Sequence, residues 1–161
     1  MKKIVKSILL TICLVSIFLF SHQPATVSTK TSTGTIKTVV SVFYRNISNS
    51  ELEEIVSIYE TFIRKTAHLI IYLILGILTY IFVIEFMDNY KKAYLFSLLF
   101  CLLYAISDEL HQYFIPGRSN EIRDVLIDCL GSTIGISIIY TIQKLKSRGE
   151  RHERKNKQKF I

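Results

Sequence analysis

The sequence predicts an all-α, polytopic membrane protein with four transmembrane helices and one or two amphipathic helices in the 21–66 segment. Three observations favour this fold class. Half of the 161 residues are hydrophobic, the mean hydropathy is +0.34, and the apolar residues fall into four runs long enough to cross a bilayer. The chain is also too short for more than one membrane domain, which we expect to span residues 1–143.

The first two apolar runs cover residues 4–20 and 67–86. The first run could be a cleaved signal peptide, but small residues are poorly placed for cleavage in the sequence that follows it, residues 20–24. We therefore expect a retained anchor. The second run has 20 residues, which at the helical rise cover about 30 Å, the thickness of the hydrocarbon core.

Between these runs, the 21–66 segment carries two amphipathic patterns. Its polar start is followed by apolar residues at helical spacing, and a second apolar pattern accompanies Ser50 and Glu53, which have the spacing of a capping box. Two such helices would either lie on the outer leaflet or cover the helix bundle as a lid. The apolar positions are Ile36, Val39, Val40, Phe43 and Ile47 in the first pattern, and Leu52, Ile55, Val56, Tyr59, Phe62 and Ile63 in the second.

The third and fourth runs cover about 93–114 and 122–143, and Pro116 and Gly117 are expected to end the third helix. A basic tail, residues 144–161, follows and holds eight Lys or Arg against two Glu. This tail supplies most of the net charge of +7, so the charge indicates a membrane flank rather than a nucleic-acid-binding surface. All three cysteines lie inside apolar runs and predict no disulfide framework.

The Lys and Arg residues are divided unequally between the two sides of the predicted membrane domain. With an even number of spans both termini lie on one side, and 13 of the 20 Lys and Arg residues fall on that side. The positive-inside rule therefore places both termini in the cytoplasm, and the 21–66 segment and the 115–121 loop outside. The seven outer cations are Lys30, Lys37, Arg45, Arg64, Lys65, Arg118 and Arg123.

Each of the last three spans carries a polar stripe on one helical face, at 100° per residue. The charged part of every stripe lies at the outer end of its span, so we expect the stripes to converge in a polar pocket near the outer interface. Gly131 and Gly135 have the GxxxG spacing that lets helices approach closely, which predicts a homodimer through this face. The stripes comprise Lys65, His68, Tyr72, Gly76 and Thr79 on the second span, Ser97, Cys101, Tyr104, Asp108 and His111 on the third, and Asp124, Asp128, Gly131 and Gly135 on the fourth.

The pocket residues divide into candidate acid–base groups and candidate ligand-binding groups. Carboxylates and imidazoles exchange protons, whereas Arg and Lys hold phosphate or carboxylate groups. A divalent metal ion held by Asp108, Glu109, Asp124, Asp128 and a histidine stays an open alternative, but the spacing matches no ligand signature strongly enough to predict a metal site. The sequence indicates no particular cofactor. The candidate catalytic residues are Glu109, Asp108, His111, His68 and Asp124, and the candidate substrate-binding residues are Arg64, Lys65, Gln112, Arg118, Asp128, Tyr72, Ser21 and Gln23.

Four short blocks of polar and small residues mark the outer ends of the spans. They are Phe20-Ser21-His22-Gln23-Pro24, Arg64-Lys65-Thr66-Ala67-His68 with Tyr72 and Gly76, Ser107-Asp108-Glu109-Leu110-His111-Gln112 with Pro116-Gly117-Arg118, and Asp124-Val125-Leu126-Ile127-Asp128 with Gly131 and Gly135. These blocks resemble the VanZ family, also called VanZ-like or teicoplanin-resistance membrane proteins, over roughly residues 4–142. Members often carry Asn where this chain has Asp128. The resemblance implies an integral membrane protein of the bacterial cell envelope, with some members linked to tolerance of lipoglycopeptide antibiotics.

The resemblance supplies no agreed reaction, so four functions stay open. In an enzyme, Glu109 or His111 would act as general acid or base on a lipid-linked envelope substrate. In a binding protein, the same pocket would hold an anionic envelope lipid or the end of a peptidoglycan precursor. A structural role would pair the outer cations and carboxylates to fix the helix ends. A small proton-coupled transporter is disfavoured, because no carboxylate lies near the membrane midplane.

Overall fold

The computed structural model describes residues 2–43, 48–118 and 121–159, and within them the regular structure is helical, with no strand. The all-α prediction is therefore confirmed. Arg45 and Ile47, both expected in the outer segment, lie outside the described residues, as does the side chain of Phe43. The helices are α1 (Lys2–Ser21), α2 (Ala25–Phe43), α3 (Asn49–Val83), α4 (Tyr90–Tyr113) and α5 (Ile122–Lys159).

Four stretches within these helices are long and apolar enough to cross a membrane. This finding confirms the prediction of four helices that could span a membrane, and it makes a multi-pass membrane protein the expected state of the chain. The second stretch starts earlier than expected, and α5 continues through much of the basic tail. The stretches are Lys3–Ser21, Ile58–Val83, Tyr90–Tyr113 and Ile122–Glu150.

The 21–66 segment contains one separate amphipathic helix, α2, and the first part of α3. The sequence from residue 49 to residue 66 has no Gly or Pro that would interrupt a helix. The second amphipathic pattern and the second span therefore form one continuous helix of 35 residues.

The capping box of α3 lies two residues before the predicted one. The Ser48 hydroxyl accepts a hydrogen bond from the Glu51 backbone N–H at 3.3 Å, and Glu51 Oε2 accepts one from the Ser48 N–H at 3.0 Å. The Ser48 hydroxyl and amide hold the pKa of Glu51 below its ordinary value of 4.5. Ser50 and Glu53 have the same spacing, so the pattern alone could not distinguish the two boxes.

Helices α3 and α5 pack backbone against backbone. Gly131 and Gly135 in α5 are buried, and a Cβ atom at either glycine would overlap the carbonyl oxygen of Leu69 or of Leu73 in α3. Only small residues allow helices to approach this closely. The GxxxG face is thus occupied within a single chain, and the homodimer expected through it would have to displace α3 or use another surface.

Contacts at the two ends of the bundle show that the spans alternate in direction. At one end, Lys6 near the start of α1 forms an ion pair with Glu85, just after α3. At the other end, Ser21 in the last turn of α1 donates to Asp108 near the end of α4. The polar parts of α3, α4 and α5 consequently meet at the end of the bundle where α1 finishes.

The sides of the bundle are apolar. Leu103 in α4 and Leu126 in α5 are 57% and 63% exposed, whereas Tyr72, Leu75 and Ile136 are completely buried between helices. A continuous exposed apolar surface of this kind suits contact with lipid chains.

Candidate functional site

A hydrogen-bonded cluster joins the end of α1 to the end of α4. Asp108, which is only 5% exposed, accepts at Oδ2 from Ser21 Oγ at 2.9 Å and from Gln112 Nε2 at 3.2 Å. Gln112 Oε1 in turn accepts from Arg118 Nη1 at 2.6 Å. The cluster thus runs from α1 through α4 to the loop that precedes α5.

Arg118 is positioned by the turn that follows α4. Gly117 has a φ of +78°, a backbone conformation that glycine adopts without steric cost. The Arg118 guanidinium donates from Nε to the Gln23 carbonyl at 3.0 Å and from Nη2 to the Phe20 carbonyl at 3.1 Å. Carbonyl groups at a helix end lack partners within their own helix, so Arg118 caps the end of α1.

Three helices contribute one side chain each to a second, deeper cluster. His68 in α3 places Nδ1 3.4 Å from Oδ1 of Asp128 in α5, whose side chain is 1% exposed. One ligand atom of His68, one of Asp128 and one of Asp108 lie within 4.8 Å of one another. The fully buried Tyr72 hydroxyl lies near Asp108 but forms no hydrogen bond of acceptable geometry. The polar stripes of three spans therefore do converge, as the helical period predicted.

Lys65 and Glu109 form contacts that stabilise the start of α5. Lys65 Nζ lies 3.3 Å from Glu121 Oε2 and 3.2 Å from Asp124 Oδ1. Glu109 Oε1 accepts a hydrogen bond from the Glu121 backbone N–H at 2.6 Å. Two of the candidate acid–base residues, Glu109 and Asp124, thus have contacts that hold the loop between α4 and α5 in place.

His111 turns toward α1 rather than toward the other candidate residues. Its Nε2 lies 3.2 Å from Nδ1 of His22, and its ring stacks on those of His22 and Phe18 with centroid distances of 5.3 and 4.8 Å. His22 was not among the predicted site residues. The helical period of α4 places His111 on the Asp108 stripe, but it contains no information about how the end of α1 packs.

Two adjoining cavities open beside these clusters. The larger, about 230 Å³, lies between α1, α2 and α3, and the smaller, about 130 Å³, lies beside the turn after α4. Arg64, His68 and Arg118 line both of them. The α2 side chains in the larger cavity were missed by the sequence analysis, although their helical spacing was a usable signal; they are Ser28, Thr31, Ser32 and Thr35.

Arg64 and Arg118 bring two positive charges to these cavities. Among the described residues, neither guanidinium group forms an ion pair with a carboxylate. Burial and the nearby Arg64 lower the pKa of Arg118, and the carboxylates of Asp108, Glu109 and Asp124 offset only part of this lowering. The larger cavity also has an apolar lining, formed by Ile17, Phe20, Ile63, Ala67 and Ile71.

The family of the chain follows from comparison with known proteins. The family model described as VanZ/LLP1 matches residues 7–143. No curated protein and no solved structure matches the chain. The matched region contains both clusters and the residues that line the two cavities. The chain therefore belongs to the VanZ/LLP1 family, which confirms the resemblance drawn from its motifs.

Proposed function

We propose that this protein binds the anionic head group of a cell-envelope lipid, or of a lipid-linked peptidoglycan precursor, in the cavity between α1, α2 and α3. The observation that carries the proposal is the pair Arg64 and Arg118, two cations that line the cavity without a carboxylate partner among the described residues. A guanidinium group holds phosphate or carboxylate with two parallel hydrogen bonds. An anionic ligand would remove the repulsion between the two cations.

The lining of the cavity fits a molecule that is anionic at one end and apolar at the other. Isoleucine and phenylalanine side chains from α1 and α3 offer contact for a lipid chain, while the hydroxyl groups of α2 offer hydrogen bonds to a head group. The volume of about 230 Å³ is below the range of about 300–1,000 Å³ typical of pockets that enclose a whole small molecule. The cavity therefore holds a head group and the adjoining chain atoms, and the rest of the lipid lies along the bundle.

A binding function is preferred to acid–base catalysis because three of the five candidate catalytic side chains have structural partners. Glu109 is bonded to a backbone amide, and Asp124 is paired with Lys65. His111 is bonded to His22 at the end of α1. None of these three residues lines the larger cavity, although Asp124 lines the smaller one.

The orientation predicted from the charges gives this binding site its biological setting. With both termini in the cytoplasm, the cavity opens toward the outer side of the membrane, where envelope precursors are exposed. A precursor held by Arg64 and Arg118 is withheld from a glycopeptide or lipoglycopeptide antibiotic, and in this way the protein contributes to tolerance.

The test compares lipid binding by two arginine variants. Arg64→Gln removes a cavity cation that forms no hydrogen bond or ion pair among the described residues, so it should leave the fold intact. Arg123→Gln is the matched control, because Arg123 is an exposed outer cation that does not line the cavity. The purified proteins are freed of lipid, titrated with phosphatidylglycerol and with phosphatidylcholine, and analysed by native mass spectrometry.

We expect the unchanged protein and Arg123→Gln to prefer phosphatidylglycerol. Loss of a charge-assisted hydrogen bond costs about 1.5–3 kcal/mol, so Arg64→Gln should weaken phosphatidylglycerol binding by roughly 10- to 100-fold. Equal affinity of the two variants, or an equal affinity of the unchanged protein for both lipids, would contradict the proposal.

A further inference from the structure

The deeper cluster combines a histidine with two carboxylates at a spacing that suits a metal ion. His68, Asp108 and Asp128 lie on α3, α4 and α5, and each offers one ligand atom within 4.8 Å of the other two. We propose that these three side chains bind a divalent transition-metal ion, Zn²⁺ or Mn²⁺. This proposal does not depend on lipid binding in the larger cavity, because it rests on other side chains and other contacts.

The spacing of His68 and Asp128 fits metal ligands better than a hydrogen bond. Nδ1 and Oδ1 are 3.4 Å apart, and both atoms are buried without satisfying hydrogen-bond geometry toward any partner among the described residues. Two ligand atoms at about 2.0–2.2 Å from a tetrahedral metal ion lie about 3.4 Å from each other. An ion between Nδ1 and Oδ1 would therefore satisfy two buried polar atoms at once.

The two buried carboxylates of the cluster also need positive charge nearby to balance them. Asp108 is 5% exposed and Asp128 is 1% exposed, and among the described residues neither forms an ion pair with Lys or Arg. His68 can supply at most one positive charge to the two carboxylates. A buried carboxylate near a membrane is costly without compensation, and a divalent ion compensates both of them.

The surroundings orient the ligands in the way that metal sites require. Asp108 uses Oδ2 for its hydrogen bonds from Ser21 and Gln112, which fixes the carboxylate and leaves Oδ1 for an ion. The buried Tyr72 hydroxyl, which has no hydrogen-bond partner among the described residues, can donate to Asp108 or to a metal-bound water. The cavity of about 130 Å³, which His68 lines, gives water access to an open coordination position. The imidazole ligand favours a transition metal over Mg²⁺ or Ca²⁺.

The test measures metal binding by the full chain, purified through a tag that contains no histidine. The protein is stripped with a chelator and titrated with Zn²⁺, Mn²⁺ and Mg²⁺, and the bound metal is counted by mass spectrometry. His68→Gln and Asp128→Asn remove proposed ligands. Matched controls are His111→Gln and Asp88→Asn, which change the same residue types outside the cluster; Asp88 lies in the exposed loop before α4, at the opposite end of the bundle.

We expect one Zn²⁺ or Mn²⁺ per chain in the unchanged protein and in both controls, and weak binding of Mg²⁺. His68→Gln and Asp128→Asn should each lose about 100-fold in affinity or more, since even residues that only orient a ligand are worth about 10–100-fold. No saturable binding by the unchanged protein would overturn the proposal, as would equal binding by His68→Gln and His111→Gln.

Two further measurements keep the result interpretable if a ligand variant does not fold. Co²⁺ bound to the unchanged protein should give the visible absorption of a site with one nitrogen and several oxygen ligands, and absence of this absorption would count against the site. Arg64→Gln should bind Zn²⁺ like the unchanged protein, because Arg64 is not a ligand. Loss of lipid binding with retained metal binding thus separates the two proposals.

Discussion

The polar side chains at the end of the bundle where α1 finishes differ in how far they are bonded to the fold. Arg118 donates to two carbonyl groups of α1, and Glu109 accepts from the amide of Glu121. Arg64 forms no hydrogen bond or ion pair among the described residues, and the nitrogen of His68 that faces Asp128 has no hydrogen bond of acceptable geometry. The available groups line or adjoin the cavities, so we assign the proposed ligand binding to them and structural support to Glu109. Arg118 lines both cavities as well, and it combines its bonds to α1 with a positive charge for the proposed ligand.

Glu109 gives a test of this division at the residue scale. Its Oε1 accepts from the Glu121 N–H at 2.6 Å, and the side chain is 3% exposed. Glu109→Ala removes the acceptor, and loss of a hydrogen bond to a charged group should lower the free energy of unfolding by about 1.5–3 kcal/mol. Glu109→Gln keeps an acceptor oxygen at the same reach and should cost clearly less. Thermal unfolding in detergent measures both changes.

Two other results for these variants would change the interpretation of Glu109. If Glu109→Gln destabilises the protein as much as Glu109→Ala does, the negative charge itself is needed. A normal stability of Glu109→Gln combined with loss of a substrate-dependent reaction would restore the catalytic role that the sequence suggested.

At the scale of the helices, the contact between α3 and α5 determines where the site residues lie. His68 faces Asp128 of α5 because the next residue of α3, Leu69, is in backbone contact with Gly131, and Leu73 is in backbone contact with Gly135. Gly76 continues this contact, since a Cβ atom there would overlap the backbone of Ser132. The small residues of both helices thus bring the polar stripes within reach of each other.

Gly131→Ala tests the α3–α5 contact, and Gly149→Ala is its control on the same helix. A methyl group at Gly131 would overlap the Leu69 carbonyl, whereas one at Gly149 would meet nothing within 4 Å. Overpacking of this kind costs about 1–3 kcal/mol, so Gly131→Ala should unfold at lower temperature or fail to fold. Gly149→Ala should gain about 0.5–1 kcal/mol from higher helix propensity. Equal melting temperatures in detergent would show that α3 and α5 are not in backbone contact.

At the scale of the whole molecule, local and non-local features differ in how well the sequence predicted them. Span number and the polar stripes depend on hydropathy and on the period of a single helix, and both were predicted. The His22–His111 pair depends on how distant segments pack, which no local pattern contains. The amphipathic pattern of the 21–66 segment left two positions open, on the outer leaflet or over the bundle, and α2 lies over the bundle, where it lines the larger cavity. The predicted start of α3 was wrong by two residues for a different reason, because Ser48 and Ser50 both fit the capping pattern.

The orientation of the molecule in the membrane determines which lipids can reach the cavity. A cysteine-labelling experiment tests it, in a background where the three native cysteines, which are buried or half-buried, are replaced by alanine. Ser50→Cys places a thiol at the exposed start of α3, on the cavity side, and Asp88→Cys places one in the exposed loop before α4, at the opposite end. A membrane-impermeant maleimide should label Ser50→Cys in right-side-out vesicles and Asp88→Cys only in inside-out vesicles, because the excess of Lys and Arg lies on the Asp88 side. The reverse pattern would place Arg64 and Arg118 at the cytoplasmic leaflet, where they would meet precursors before export and could not withhold them from an antibiotic outside the cell.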